Sequence, residues 1–266
     1  MLRSLNELKG FDILATDGKI GDVEEFYFDD EQWAVRYIVV NTGSWLSGRQ
    51  VLISPFSVTQ VDRDKRKIHL YLTQARVEKS PNVDTQKPVS RRMEAAHLDY
   101  YGYPYYWEGT FLWGAGEYPD LATQQAAWGT APTATATIEH STTSGVTASR
   151  LVVSANVHLR STDEVASYHM AATDGEIGHV DNFILEDDSW TIRYLAIDTR
   201  NWLPGKKVLV PPRWISLIDW AQGKVHVNLS RDGVKQSPEY DSSKPISREY
   251  ETQLYRHHGE TAYWLN

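Results

Sequence analysis

The chain has 266 residues, a formal net charge of −8 and no cysteine, which excludes disulfides, thiolate metal sites and a cysteine nucleophile. Hydrophobic residues make up 41% and charged residues 23%, a globular balance fitting one large domain or two small ones. Residues 1–118 hold 14 Lys+Arg against 17 Asp+Glu, and residues 159–266 hold 12 against 16, so neither part offers the basic surface that phosphate contacts need. No nucleic-acid partner is expected. No stretch approaches the roughly 18 apolar residues of a membrane span, and Met1 to Glu7 lack the apolar core of a signal peptide. The expectation is a cytoplasmic protein without a membrane span.

In chain order, Phe11 to Ala15 and Val23 to Phe28 flank Asp17-Gly18, the dipeptide of a tight hairpin turn. Gly21 marks a bulge or a close backbone approach. After the acidic turn Asp29-Asp30-Glu31, residues Trp33 to Val40 alternate at strand period with both faces largely apolar, as in a central strand. A loop from Gly43 to Gly48 leads to the strand at Val51-Leu52-Ile53, which Pro55 confines to an end or a bulge. The run of alternating charge from Asp62 to Lys67 reads as a solvated hairpin tip. Ile68, Leu70 and Leu72 then alternate with His69 and Tyr71. Five or six short antiparallel strands over this span suit a small closed barrel, since closure removes exposed edges. A short helix is expected from Ser90 to Tyr100. The aromatic tail from Tyr100 to Trp107 must pack on its own barrel, on the other part of the chain or on a partner.

Residues 2–107 align with residues 159–264 at a constant offset of 157, without a gap, and about 39 of the 106 positions are identical. Ala15-Thr16-Asp17-Gly18 recurs as Ala172-Thr173-Asp174-Gly175, Trp33 to Tyr37 as Trp190 to Tyr194, and Trp45-Leu46 as Trp202-Leu203. Ser90-Arg91 recurs as Ser247-Arg248 and Tyr106-Trp107 as Tyr263-Trp264. Between the copies, residues 122–149 are rich in Ala, Thr and Ser and read as linker. The expected organisation is a first copy with its arm at 1–118, a linker at 119–157 and a second copy with its arm at 158–266.

The motif Asp-Gly-x-Ile-Gly-x-Val at Asp17 to Val23, then Arg-Tyr at Arg36-Tyr37, then Val-Leu-x-x-Pro at Val51 to Pro55, with equivalents from Asp174, Arg193 and Val208, resembles the PRC-barrel family. That family includes the cytoplasmic domain of the photosynthetic reaction-centre H subunit, the C-terminal domain of a ribosome maturation factor, and many stand-alone bacterial and archaeal proteins. The resemblance implies a mainly β fold of two tandem SH3-like barrels, each with a C-terminal arm containing a short helix. It implies work through protein contacts and no catalytic residues. The chain lacks the H subunit's membrane helix and the maturation factor's partner domain, so neither role transfers directly.

The residues themselves show no catalytic or metal signature. His257-His258 aligns with Tyr100-Tyr101, so no ligand role is shared between copies, and a metal needs three or four convergent ligands. His69 and His226 sit at equivalent strand positions, as cross-strand neighbours would. Gly18 to Gly21 has GxxG spacing, but Glu176 replaces Lys19 in the second copy and removes the attraction for phosphate. Asp17 and Asp174 serve turns. Arg36 and Arg193 lie among apolar strand neighbours, where an arginine pairs with an acidic turn residue or anchors a ligand. Trp45, Leu46, Trp202 and Leu203, in Gly-flanked loops, either anchor a partner or plug their own barrel. With Tyr101, Tyr103 and Tyr105 of the arm they make the candidate interaction surface. No cofactor is expected. The sequence points to a non-enzymatic adaptor in which the copies pack as an intramolecular pseudo-dimer. The alternative is a regulatory protein binding a small molecule or ion in the cleft between barrels.

Overall fold

The computed structural model describes residues 1–82, 89–121, 158–199 and 206–265. Most of the expected linker, and Trp202 and Leu203, lie outside the described residues. The first part of the chain forms β1 (Leu2–Ser4), β2 (Asp12–Ala15), β3 (Gly18–Asp29), β4 (Ala34–Asn41), β5 (Gln50–Ile53), β6 (Val58–Asp62) and β7 (Lys67–Leu70), then helices α1 (Gln74–Glu78) and α2 (Arg91–Tyr101). The second part forms β8 (Leu159–Ser161), α3 (Thr162–Val165), β9 (His169–Ala172), β10 (Gly175–Glu186), β11 (Thr191–Asp198), β12 (Lys207–Val210), β13 (Ile215–Asp219), β14 (Lys224–Val227), α4 (Arg231–Gln236) and α5 (Arg248–His258).

These strands make one mixed sheet of fourteen, in the order β13-β14-β9-β10-β11-β4-β3-β2-β7-β6, with β5 on β4 and β12 on β11. The expectation of closed barrels is corrected: hydrogen bonding leaves the path open, with β6 and β13 at its ends. The break falls between β5 and β6. There Ser54 caps a single 3-10 turn at Pro55–Ser57, and a proline has no N–H to extend a ladder. The turn bends the chain away before its two flanking strands can pair. Pro212–Trp214 makes the same turn between β12 and β13. Nor are all the pairings antiparallel, since β2 runs parallel to β7 and β9 parallel to β14.

The two parts share their strands. β1 pairs with β10 of the second part, with Leu2 opposite Glu186, and β8 pairs with β3 of the first, with Leu159 opposite Asp29. Both pairings obey the offset of 157. Ala34 of β4 and Thr191 of β11 face each other where the parts meet. Trp33 and Trp190 both take positive φ, 54° and 57°, in the turns entering those strands. Val35 N donates to the Trp190 carbonyl at 2.8 Å and Ile192 N to that of Trp33 at 2.7 Å. One hydrophobic core runs through both parts, and Phe28 meets Phe183 there with ring centroids 5.5 Å apart.

The local chemistry follows the sequence. At Gly21 a Cβ would lie 2.1 Å from the Asn41 carbonyl oxygen, and at Gly178 2.1 Å from that of Asp198. Only glycine lets β3 and β10 cross their neighbours so closely. The Asp17 and Asp174 carboxylates each accept a backbone N–H at 2.7 Å, from Gln74 and Arg231 at the start of α1 and α4. Ser90 caps α2 through its side chain and Gly102 ends it in the left-handed conformation; Ser247 and Gly259 do the same for α5.

Candidate functional site

Two places concentrate polar side chains. The first is buried beneath α2. Arg36, 1% exposed, donates from Nη2 to Asp29 Oδ2 at 3.2 Å and from Nη1 to the Leu112 carbonyl at 2.8 Å. Its guanidinium lies between the rings of Tyr106, at 3.9 Å, and Trp113, at 4.7 Å. Trp113 is wholly buried, and its Nε1 donates to the Ser189 carbonyl of the second part at 2.8 Å. Glu94 accepts from the Tyr106 hydroxyl and pairs with Arg91 Nη1 at 3.3 Å. Burial raises the Glu94 carboxyl from its ordinary 4.5 to about 7, against the opposing pull of Arg91 and the Tyr106 hydroxyl. One turn further along α2, His97 donates from Nε2 to the Leu52 carbonyl at 2.9 Å, while its buried Nδ1 has no hydrogen-bond partner among the described residues. Burial lowers its pKa from 6.5 to about 4.

The second part repeats this arrangement at the same offset. Arg193 pairs with Glu186 at 2.6 Å and stacks on Tyr263 at 4.4 Å. Glu251 accepts from Tyr194 at 2.7 Å and Tyr263 at 3.1 Å, and pairs with Arg248 at 3.0 Å. Arg193 is 28% exposed, because nothing equivalent to Trp113 covers it among the described residues. In both parts the carboxylate of the helix meets the arginine-bearing strand through a tyrosine from the arm. The arrangement clamps helix and arm to the sheet. The Arg36 guanidinium is walled in on both faces, so it offers no approach to a ligand. Arg91, Glu94, Tyr106 and their equivalents were absent from the expected sites. Their shared offset in the repeat was the signal that could have found them.

The second place is a cleft of about 360 Å³ between the parts. One wall is Val58, Thr59, Gln60 and Val61 of β6; the other is Asp187, Asp188 and Trp190 of the turn between β10 and β11; Tyr118, Pro119 and Asp120 close one side. Arg63 pairs with Asp187 across the cleft, and Arg3 Nε reaches the same carboxylate at 3.4 Å. Asp188 is 77% exposed and Tyr118 55%.

The residues expected to form an interaction surface lie apart from this cleft. Trp45 and Leu46 are half-buried against the core, in a loop closed by Gly48 N donating to the Gly43 carbonyl at 2.7 Å. Tyr101 and Tyr103 are buried and stacked on each other, with centroids 5.4 Å apart. The Tyr103 hydroxyl meets Ser57 Oγ at 2.6 Å and accepts from Tyr71 at 2.8 Å. Tyr105 is half-buried and donates to Asp99 at 2.7 Å. The arm's aromatics are therefore spent mainly inside the molecule, and Tyr101 and Tyr103 have no surface to offer. Among the described residues no three His, Asp or Glu side chains converge as a metal site would need, and no helix is long and apolar enough to cross a membrane.

No curated protein matches the chain. The family model of the PRC-barrel domain matches residues 2–74, from β1 through β7 to the first residue of α1. That match covers 73 of the 266 residues, all in the first part of the chain.

Proposed function

We propose that the chain is a tandem PRC-barrel protein and that it acts as a non-enzymatic module for docking another protein. The second barrel is inferred from the ungapped repeat together with the matching strand registers, glycine crossings and helix clamps at a single offset. One observation carries the docking reading. The arm crosses from the first part to the second, buries Trp113 at the junction, and leaves Phe111 (50% exposed) and Tyr118 (55% exposed) in solvent, with Tyr118 lining the cleft along β6. Exposed aromatics on a rigid frame favour a protein contact, because they lose little entropy on binding.

A crosslinked pull-down with the full chain and with a Phe111→Ser/Tyr118→Ser variant tests this. A partner recovered by the first and lost by the second supports the reading; an identical set of proteins from both refutes it. The regulatory alternative draws on the cleft and predicts that a metabolite or ion raises the melting temperature, since a ligand of the native state must do so.

A further inference from the structure

We infer that the Arg193 side of the junction binds a tryptophan carried on a tight glycine turn of another protein, as the Arg36 side binds the turn of the chain's own arm. This rests on the docking reading above in taking the occupant to be another protein, and it adds a second surface. The filled side shows what fits. In the arm, Phe111 and Gly114 exchange backbone hydrogen bonds at 3.2 Å, and Trp113 N donates to the Gly116 carbonyl at 2.8 Å. Gly114 takes φ of 87°, and a Cβ on Gly109 would lie 2.1 Å from the Gly114 carbonyl oxygen, so the turn calls for glycine at both positions. It offers three fittings. The Leu112 carbonyl accepts from Arg36 Nη1, the Trp113 ring lies over the Arg36 guanidinium and edge-on to Phe56, and Trp113 Nε1 donates to the Ser189 carbonyl.

At the offset of 157 the counterparts of these three contacts stand open. Arg193 rests one face on Tyr263, and no second ring covers the other among the described residues. Its Nε and Nη2 both donate to Glu186, while Nη1 makes no hydrogen bond among the described residues. Gln32 and Trp33 hold the positions of Ser189 and Trp190. Gln32 is exposed and Trp33 half-buried, whereas Ser189 and Trp190 are buried. Arg213 takes the position of Phe56 and lines a pocket of about 350 Å³ with Trp214 and Asn228. An incoming indole meets a guanidinium face at Arg193, a second guanidinium at Arg213 and a carbonyl acceptor at Gln32. Cation–π contact and a satisfied indole N–H make tryptophan the side chain best suited to anchor there.

Fluorescence anisotropy on the full chain tests the inference. The probes are a labelled cyclic peptide with the sequence of residues 108–116 and its counterpart with alanine in place of the tryptophan; cyclisation lowers the ordering cost of the turn. The tryptophan peptide is expected to bind at a single site, and the alanine peptide roughly tenfold more weakly or worse. Arg193→Lys keeps a cation beside Glu186 but loses the planar stacking face, and is expected to weaken the tryptophan peptide roughly tenfold. Equal binding of the two peptides, or equal binding to wild type and Arg193→Lys, overturns the inference. So does an absence of binding to wild type; binding that then appears in Trp128→Ala would give the site to the chain's own Trp128-Gly129 instead of a partner. A cellular partner captured equally by wild type and Arg193→Lys, with no peptide bound, would refute this site and leave the docking reading standing.

Discussion

Glu94 and His97 stand one helical turn apart on α2, and their buried states titrate against each other. The Glu94 carboxyl is raised from 4.5 to about 7, so the folded protein holds a proton that the unfolded chain releases. Stability from this group is complete below pH 4.5 and is lost as pH rises through 7. At pH 7 the loss is about 3 kcal/mol, and about 2 kcal/mol of it develops between pH 5 and pH 7. His97 is lowered from 6.5 to about 4, so the unfolded chain takes up a proton that the folded protein refuses. Its contribution is complete above pH 6.5 and lost as pH falls through 4, again by about 2 kcal/mol between pH 7 and pH 5. The two effects nearly cancel in that window. Glu94→Gln keeps the shape and can still accept from the Tyr106 hydroxyl, yet cannot ionise. Urea unfolding of this variant across pH 5 to 7 should show stability rising by about 2 kcal/mol more than in wild type. His97→Gln should show the opposite slope. A Glu94→Gln profile parallel to that of wild type would refute the assignment of a raised carboxyl at this position.

Four further outcomes follow from the same geometry. Arg36→Ala leaves the buried Asp29 carboxylate without its counter-ion, though the Glu31 and Gln32 N–H groups still donate to it, and should cost about 3–5 kcal/mol by chemical denaturation. Arg193→Ala breaks a half-exposed pair and should cost about 1 kcal/mol or less. Gly21→Ala and Gly178→Ala each drive a methyl into a backbone carbonyl and should each lower stability by about 1–3 kcal/mol or more, read from the urea midpoint. Trp113→Phe keeps most of the packing but leaves the Ser189 carbonyl without its donor, at a cost of about 1 kcal/mol, whereas Trp113→Ala should cost about 3–5 kcal/mol.

The features written in local residue chemistry were the legible ones. Period-two alternation marked β4 and β7, Asp17-Gly18 marked the turn, and the expected helix from Ser90 to Tyr100 lies within a residue of the bounds of α2. Arg36 lay beside apolar neighbours, and its partner is indeed an acidic turn residue, Asp29. The missed features depend on distant parts of the chain meeting. Nothing in Leu2-Arg3-Ser4 says that its strand belongs to the far part of the chain. Glu94 became part of the clamp only when Tyr106 folded back over α2, and an isolated glutamate on a short helix reads as solvated. The open edge at β6 escaped because strand count suggested closure, whereas the proline turn between β5 and β6 prevents it. Tyr101 and Tyr103 were read as surface because sequence shows that an aromatic must be covered but not by what.

The exchange of β1 and β8 sets the order in which this molecule can be completed. During synthesis, β3 emerges long before β8, the strand that covers it, and until then its outer flank is open. Ladders joining such distant segments close slowly, because loop entropy must be overcome before any contact forms. At high concentration a β8 from a neighbouring chain can occupy the same flank, giving a swapped dimer held by the native registers. A protein cut between residues 122 and 157 should therefore stay in one piece, its fragments still holding each other's first strand, and should separate only when both parts unfold.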